Sequence, residues 1–245
     1  MADLAGRRAL VCGGTSGIGA AAAEALRDRG AAVTILARSA SGAAALACDL
    51  EDTEALKITI KKEIDANGAF EILVNNSAGP PSGPLLEAAP ADFEKAMRRH
   101  LHASHTLVQL LLPGMRDAGY GRIINIISTS VKEPIPGLGV SNTVRGAMAA
   151  WAKTLAKELP PGITINSVLP GFTATQRLEE LKQTLATPRG VSPAEVEAAW
   201  LATVPEGRLA QPSELGAVIA FLASPAAGFV RGVALPVDGG RLASI

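Results

Sequence analysis

Eight residues near the start carry the plainest chemical signal: Cys12-Gly13-Gly14-Thr15-Ser16-Gly17-Ile18-Gly19. They follow an apolar run and open a helical pattern, the setting in which a glycine-rich turn cradles a pyrophosphate. Glycine lets the backbone turn sharply and come close to phosphate oxygens. Free N–H groups and the dipole of the following helix then hold the anion. Gly13, Gly17 and Gly19 are spaced GxxxGxG, not GxGxxG. The residue just after the second strand sorts dinucleotides, because an acidic side chain there binds the ribose 2′-hydroxyl of NAD. This chain has Ala37-Arg38-Ser39 instead. Arg38 can make charge-assisted bonds to a 2′-phosphate, with Ser39 beside it. NADP(H) is therefore the expected cofactor, against the plainer reading of Arg38 as a solvated surface arginine.

Other reactive groups are sparse. Cys12 and Cys48 sit in apolar surroundings and read as buried free thiols. No CxxC or Cys/His spacing argues for a metal. Basic and acidic residues balance at 23 each, which gives no electrostatic case for nucleic acid or an anionic membrane. No window holds the ~18 apolar residues of a membrane span. The opening MADLAGRRALV lacks the charged-then-apolar pattern of a signal segment. A cytoplasmic protein acting on a small molecule is the expectation.

These residues need a scaffold. Apolar runs predict strands over 8–12, 32–37, 46–48, 71–74, 122–127, 163–168 and 232–237. Helical patterns cover 18–30, 52–66, 90–115, 142–158 and 212–223. Aromatics make up 3% against 48% hydrophobic residues, so the core must come from Ala, Val, Leu and Ile. Continuous apolar strands alternating with helices mean a parallel sheet covered on both faces. No linker or repeat interrupts this, so residues 1–245 read as one domain. The exception is 173–204, a polar helical insertion after the sixth strand. Ligands in open α/β sheets bind beyond the strands' carboxyl ends, which makes the insertion a candidate substrate lid. Trp200 is its one large aromatic.

Taken together, the segments resemble the short-chain dehydrogenase/reductase family, closest to its 3-oxoacyl-carrier-protein-reductase-like group. Asp49-Leu50 matches the family's adenine-contacting pair after strand three. Leu73-Val74-Asn75-Asn76-Ser77-Ala78-Gly79 resembles its Asn-Asn-Ala-Gly segment. Pro170-Gly171-Phe172, with Thr175 following, matches its nicotinamide-side loop. Val237-Asp238-Gly239-Gly240 matches its C-terminal signature. The resemblance implies a Rossmann-type, doubly wound, seven-stranded parallel sheet. It implies coenzyme contacts from Gly13, Thr15, Ser16, Gly17, Ile18, Gly19, Arg38, Ser39, Asp49, Leu50, Asn76, Ser77, Ala78, Arg145, Pro170, Gly171, Phe172 and Thr175. It also implies a homo-oligomer, a tetramer or a dimer, formed through 90–115, 142–158 and 232–237.

The family's four catalytic positions are Asn, Ser, Tyr and Lys. The Ser maps onto Ser128. The Tyr position, thirteen residues on, is Ser141, and the Lys position is Arg145. The Asn position is His100. Flanking Gly146-Ala147-Met148 and Lys153-Thr154-Leu155-Ala156 fit the usual following helix, so the register stands. In the family, Tyr donates a proton to the alkoxide and Lys lowers the Tyr pKa. A serine hydroxyl has no useful acidity near neutrality, and arginine stays charged. Arg145 can still bind ribose hydroxyls or an anionic substrate. Tyr120, the only tyrosine, lies at the wrong end of its strand.

Three readings stay open. The chain reduces a substrate needing little proton help, such as an iminium or an activated C=C bond. Alternatively, another group supplies the proton to a ketone: His100, which titrates near neutrality, or Lys132 or Glu133 after strand five. Each also has a plain structural reading, as a packing histidine, a surface pair and, for Ser141, a small residue widening the pocket. Last, the chain binds nucleotide without redox chemistry, as a dehydratase, isomerase or cyclase, or as a non-catalytic binding protein.

Overall fold

The computed structural model describes residues 2–244, with Pro188 and Arg189 by backbone alone. Met1 and Ile245, the ends of the expected domain, lie outside the described residues.

Seven strands form one parallel sheet: β1 (Arg8–Cys12), β2 (Ala32–Ala37), β3 (Ala45–Ala47), β4 (Ile72–Asn75), β5 (Gly121–Ile126), β6 (Ile163–Pro170) and β7 (Ala234–Val237). Their order is β3-β2-β1-β4-β5-β6-β7. The order reverses direction between β1 and β4, which opens a crevice at the strands' carboxyl ends. Side chains alternate across the sheet. Ala9, Val11, Ile72, Val74 and Ile124 enter one core with Ala22, Leu26, Leu215 and Ile219. Leu10, Leu36, Leu73, Ile123 and Ile165 enter the other with Leu56, Ile60, Leu107 and Leu111. Both faces are buried, so the strands read as continuous apolar runs.

The helices are α1 (Gly17–Asp28), α2 (Thr53–Asn67), α3 (Pro90–Met97), α4 (Ala103–Asp117), α5 (Gly139–Glu158), α6 (Gln176–Arg189), α7 (Pro193–Leu201) and α8 (Pro212–Ala223). Two differ from the sequence expectation in ways that matter. The helix expected over 90–115 is interrupted by a π turn, Arg98–His102, which carries His100 inward. A π turn inserts one residue into the helix without disturbing the apolar period on either side. The helix expected from residue 142 begins at Gly139. Ser141 therefore lies in its first turn, and Arg145 stands one turn further on the same face. Several strand ends also move by one or two residues, the fraying usual at element boundaries.

The insertion over 173–204 is a helix pair, α6 and α7. Thr175 starts α6, its hydroxyl accepting the N–H of Leu178 at 3.2 Å. Ser192 and Glu195 start α7 with a reciprocal capping box. No helix among the described residues is long and apolar enough to cross a membrane.

Candidate active site

A cleft of about 580 Å³ runs along the carboxyl ends of β2, β1, β4, β5 and β6. Its first wall is the glycine turn. Gly17 takes φ +54°, a left-handed conformation that favours glycine. A Cβ at Gly19 would collide with the carbonyl oxygen of Gly13, so this glycine lets α1 pack onto the turn. Asn76 Nδ2 donates to Gly13 O at 3.2 Å and ties the turn to β4. Ser16, at the start of α1, makes no side-chain cap. The first N–H groups of that helix are left for an anion.

Arg38 and Ser39 are exposed at the β2 end of the cleft and line it. Arg38 makes no ion pair among the described residues. Asp49 and Leu50 close that end, with Asp49 Oδ1 accepting the Glu51 N–H at 3.0 Å. Glu51 pairs with Arg99, another wall residue. Across the cleft, Arg177 of α6 donates to Pro80 O at 3.2 Å, so the helix pair roofs the loop after β4. Sequence reasoning missed Arg99, Leu138, Gln176, Arg177, Glu180 and Leu181 as wall residues. Four of these sit on the polar insertion, where composition marks exposure without direction.

The far end of the cleft is formed by Ile126, Ile127, Leu138, Ser141, Arg145 and Pro170. The Ser141 hydroxyl has no hydrogen-bond partner among the described residues, whereas Arg145 Nη1 donates to Ile126 O at 2.9 Å. Arg145 is only 9% exposed. Burial lowers its pKa to about 10, so it stays charged at neutral pH. Ser128 is half-buried at the end of β5 and is absent from the cleft wall. Its hydroxyl accepts the Ser130 N–H at 3.0 Å, which fixes its direction and leaves its own proton to donate.

His100 lies behind the wall, in a polar cavity of about 10 Å³ shared with Asn75, Asn76, Ser77 and Arg145. That space suits one water. Nδ1 of His100 is 2.7 Å from Ser77 Oγ, and Nε2 is buried without a partner. Burial first, and then the charges of Arg145 and Arg99, push its pKa down to about 2. The ring is neutral, which corrects its reading as a group titrating near neutrality. Glu133 is also drawn away: its Oε1 accepts the N–H groups of Ala243 and Ser244, both at 3.0 Å. Lys132 does not line the cleft. Tyr120 is buried between the guanidiniums of Arg7 and Arg122, each 4.1 Å from its ring, and donates to Ala223 O at 2.5 Å.

Most residues expected at the coenzyme line this cleft, from Gly13 to Thr175. Gly19, Gly171 and Phe172 do not. Gly19 serves packing within the turn. A Cβ at Gly171 would come within 2.6 Å of the Asp238 Cα, so its place is against the C-terminal segment. Phe172 turns away to stack on Trp200, centroid to centroid 4.9 Å. Cys12 and Cys48 are buried free thiols. Desolvation pushes the Cys12 pKa up to about 12, so it is no nucleophile.

The sequence profile of the enoyl-(acyl carrier protein) reductase family matches residues 13–241. The chain is 33% identical to the 3-oxoacyl-[acyl-carrier-protein] reductase FabG of Vibrio harveyi, over 97% of this chain and 98% of that one. The chain belongs to the short-chain dehydrogenase/reductase family. It is also similar to the short-chain reductase protein NovJ of Streptomyces niveus, at 32% identity over 95% and 93% of the two chains. Among solved structures, the L-sorbose reductase of Gluconobacter frateurii, complexed with NADPH and L-sorbose, aligns with a TM-score of 0.92. The identity is 27%, covering 100% of this chain and 99% of that one.

As a short-chain dehydrogenase/reductase, the chain has the seven-stranded parallel sheet, with a glycine turn and a roofed cleft at its carboxyl end. Ser141 and Arg145 both face that cleft. His100, a neutral histidine, lies behind its wall.

Proposed function

We propose that this chain is an NADP(H)-dependent oxidoreductase that reduces a C=O, C=N or activated C=C bond without a tyrosine acid. One observation carries the reading: a single cleft runs from an unpaired Arg38 at β2 to Ser141 and Arg145 at β5. The glycine turn and the uncapped start of α1 fit a pyrophosphate between them. Arg38 and Ser39 would hold the 2′-phosphate, and Asp49-Leu50 the adenine. Pro170 and Thr175 would border the nicotinamide. When bound, NADPH supplies a hydride at the β5–β6 end of the cleft.

The chain's own residues decide which acceptors suit it. His100 is neutral, Glu133 is engaged with the C-terminal segment, and Tyr120 is at the opposite end of β5. None is placed to protonate an alkoxide. Ser128, with its direction fixed, would donate a hydrogen bond to a substrate heteroatom, and Arg145 would stabilise negative charge beside it. This arrangement favours an iminium, which needs no proton, or an activated C=C bond, whose carbanion takes its proton from solvent.

The test is calorimetric titration with NADPH and NADH, followed by NADPH oxidation with matched ketones, cyclic imines and enones. Tight, NADPH-selective binding and turnover of an imine or enone are expected. Turnover that leaves nicotinamide absorbance unchanged would instead point to a non-redox enzyme of the same fold.

The proposal extends to self-association. Phe229 is fully exposed on the turn before β7, an edge strand, and Phe221 is partly exposed on α8. Exposed aromatics of this kind suit a contact between copies.

A further inference from the structure

Arg145 is a buried cation without a counter-charge. No carboxylate among the described residues lies within ion-pair distance of it. Its recorded hydrogen bond, to Ile126 O, is to a neutral carbonyl. None of its nitrogens is sealed off without a partner. The donors it does not spend on Ile126 therefore open on the cleft or on the small cavity beside it. That cavity offers no anion: no Asp or Glu lines it, and Glu51 is engaged with Arg99.

An ion buried without a partner is strongly unfavourable, and a protein tolerates it where a ligand completes the pair. The coenzyme's charges are poor candidates. Its 2′-phosphate belongs at β2 and its pyrophosphate at the turn after β1. β5 stands three strands from β2 and two from β1. At about 4.8 Å per strand these separations are roughly 14 and 10 Å. The ribose nearest β5 is uncharged. It can accept a hydrogen bond from Arg145 but cannot neutralise it.

We propose that Arg145 binds a carboxylate carried by the substrate. The proposal rests on the coenzyme reading above, which puts the substrate at the β5–β6 end. The guanidinium fork matches a carboxylate in shape and in unit charge. A phosphate dianion would demand further cations at this end. Arg177, which faces the cleft from the helix pair, is committed to Pro80 O and lies 3.8 Å from Glu180. Arg145 thus becomes a specificity-determining residue: it selects acidic substrates and holds them by a group that hydride transfer leaves unchanged.

Benzoate and benzamide, alike in shape and different in charge, are the probes. Each is titrated calorimetrically into the NADP⁺-loaded protein. Benzoate should bind at least about tenfold more tightly than benzamide. Arg145→Met should abolish that preference and weaken benzoate more than it weakens NADPH. Arg145→Lys should keep part of the preference, since it keeps the charge and loses the fork. Equal binding of the two probes to the unaltered protein, or binding of neither, overturns the proposal. So does inorganic phosphate binding more tightly than benzoate. If Arg145→Met weakens NADPH and leaves the benzoate preference intact, the guanidinium serves the coenzyme. Should the Met variant fail to fold, the unaltered protein and Arg145→Lys still decide. Absence of NADPH binding would sink the coenzyme reading alone, because the two probes can be compared on the unloaded protein.

Discussion

Ser77 Oγ sits 2.7 Å from Nδ1 of His100, and this contact stands between the histidine and the cleft. Ser77 lines both the cleft and the small cavity, whereas His100 lines only the cavity. The histidine thus acts as a neutral wall post. Its unfolded pKa is near 6.5 and its folded one near 2. Between those values the unfolded chain holds one more proton than the folded chain. Stability from this site is full above about pH 6.5 and falls as the pH drops below it. The slope should be on the order of 1 kcal/mol per pH unit. Urea unfolding at pH 7 and pH 5 should show His100→Asn losing less stability on acidification than the unaltered protein. Equal losses would mean that His100 is protonated in the folded chain.

Arg38 is exposed and unpaired at the β2 end of the cleft. Charge-assisted hydrogen bonds contribute about 1.5–3 kcal/mol. Arg38→Ala should therefore weaken NADPH by about ten- to a hundredfold and leave NADH within a few-fold. Calorimetric titration of both dinucleotides reads the difference. An equal loss for both would remove Arg38 from the 2′-phosphate.

The two serines differ in a way that fixes an order of effects. Ser141 faces the cleft with no partner among the described residues to orient its hydroxyl. Ser128 is set back from the wall, but its oxygen accepts the Ser130 N–H and so has a defined direction. A preorganised donor contributes more to catalysis than a free rotor. Ser128→Ala should lower kcat more than Ser141→Ala, on the substrate that the imine, enone and ketone panel identifies. A larger loss for Ser141→Ala would show that access to the cleft outweighs orientation.

The sequence was legible where local chemistry and periodicity agree. The glycine turn, the alternation of buried strands with helices, and Arg38 after β2 were readable because each depends on neighbours in the chain. The inward turn of His100 was not. A single π turn leaves the apolar stripe of α3 and α4 almost unbroken, so the pattern hid it. Nor was the commitment of Glu133 to Ala243 and Ser244, about 110 residues away in sequence. The same holds for Phe172: its residue type suited a coenzyme loop, but its partner Trp200 lies on α7, 28 residues further along the chain. Arg145 was visible in the sequence as a charged residue at a candidate site, whereas its lack of a counter-charge among the described residues is a fact of three dimensions.

Phe229, fully exposed on the turn that precedes β7 in the chain, offers apolar area that a lone chain leaves in water. If copies associate there, Phe229→Ser should shift sedimentation velocity profiles toward smaller species while leaving the circular dichroism spectrum unchanged. Identical profiles would place any self-association on another surface.

The stack of Phe172 on Trp200 joins the loop after β6 to the helix pair over the cleft. Arg241 also lies over the Phe172 ring, 4.9 Å from its centre. The ring thus contacts both α7 and the C-terminal segment. Pro170 and Thr175, on either side of it, line the cleft. Loosening the stack should let that loop and α6 drift from their positions at the nicotinamide end. An aromatic pair contributes about 0.5–1.5 kcal/mol beyond its buried area. Trp200→Ala should accordingly weaken NADPH by roughly two- to tenfold, although Trp200 itself does not line the cleft. Trp200→Phe should restore most of the affinity, because a ring can still stack on Phe172. Trp151 is the chain's other tryptophan, so Trp151→Phe leaves fluorescence that reports on Trp200 alone. That signal should change when NADPH binds. An unchanged signal, together with unchanged affinity in Trp200→Ala, would mean that the helix pair and the coenzyme loop move independently.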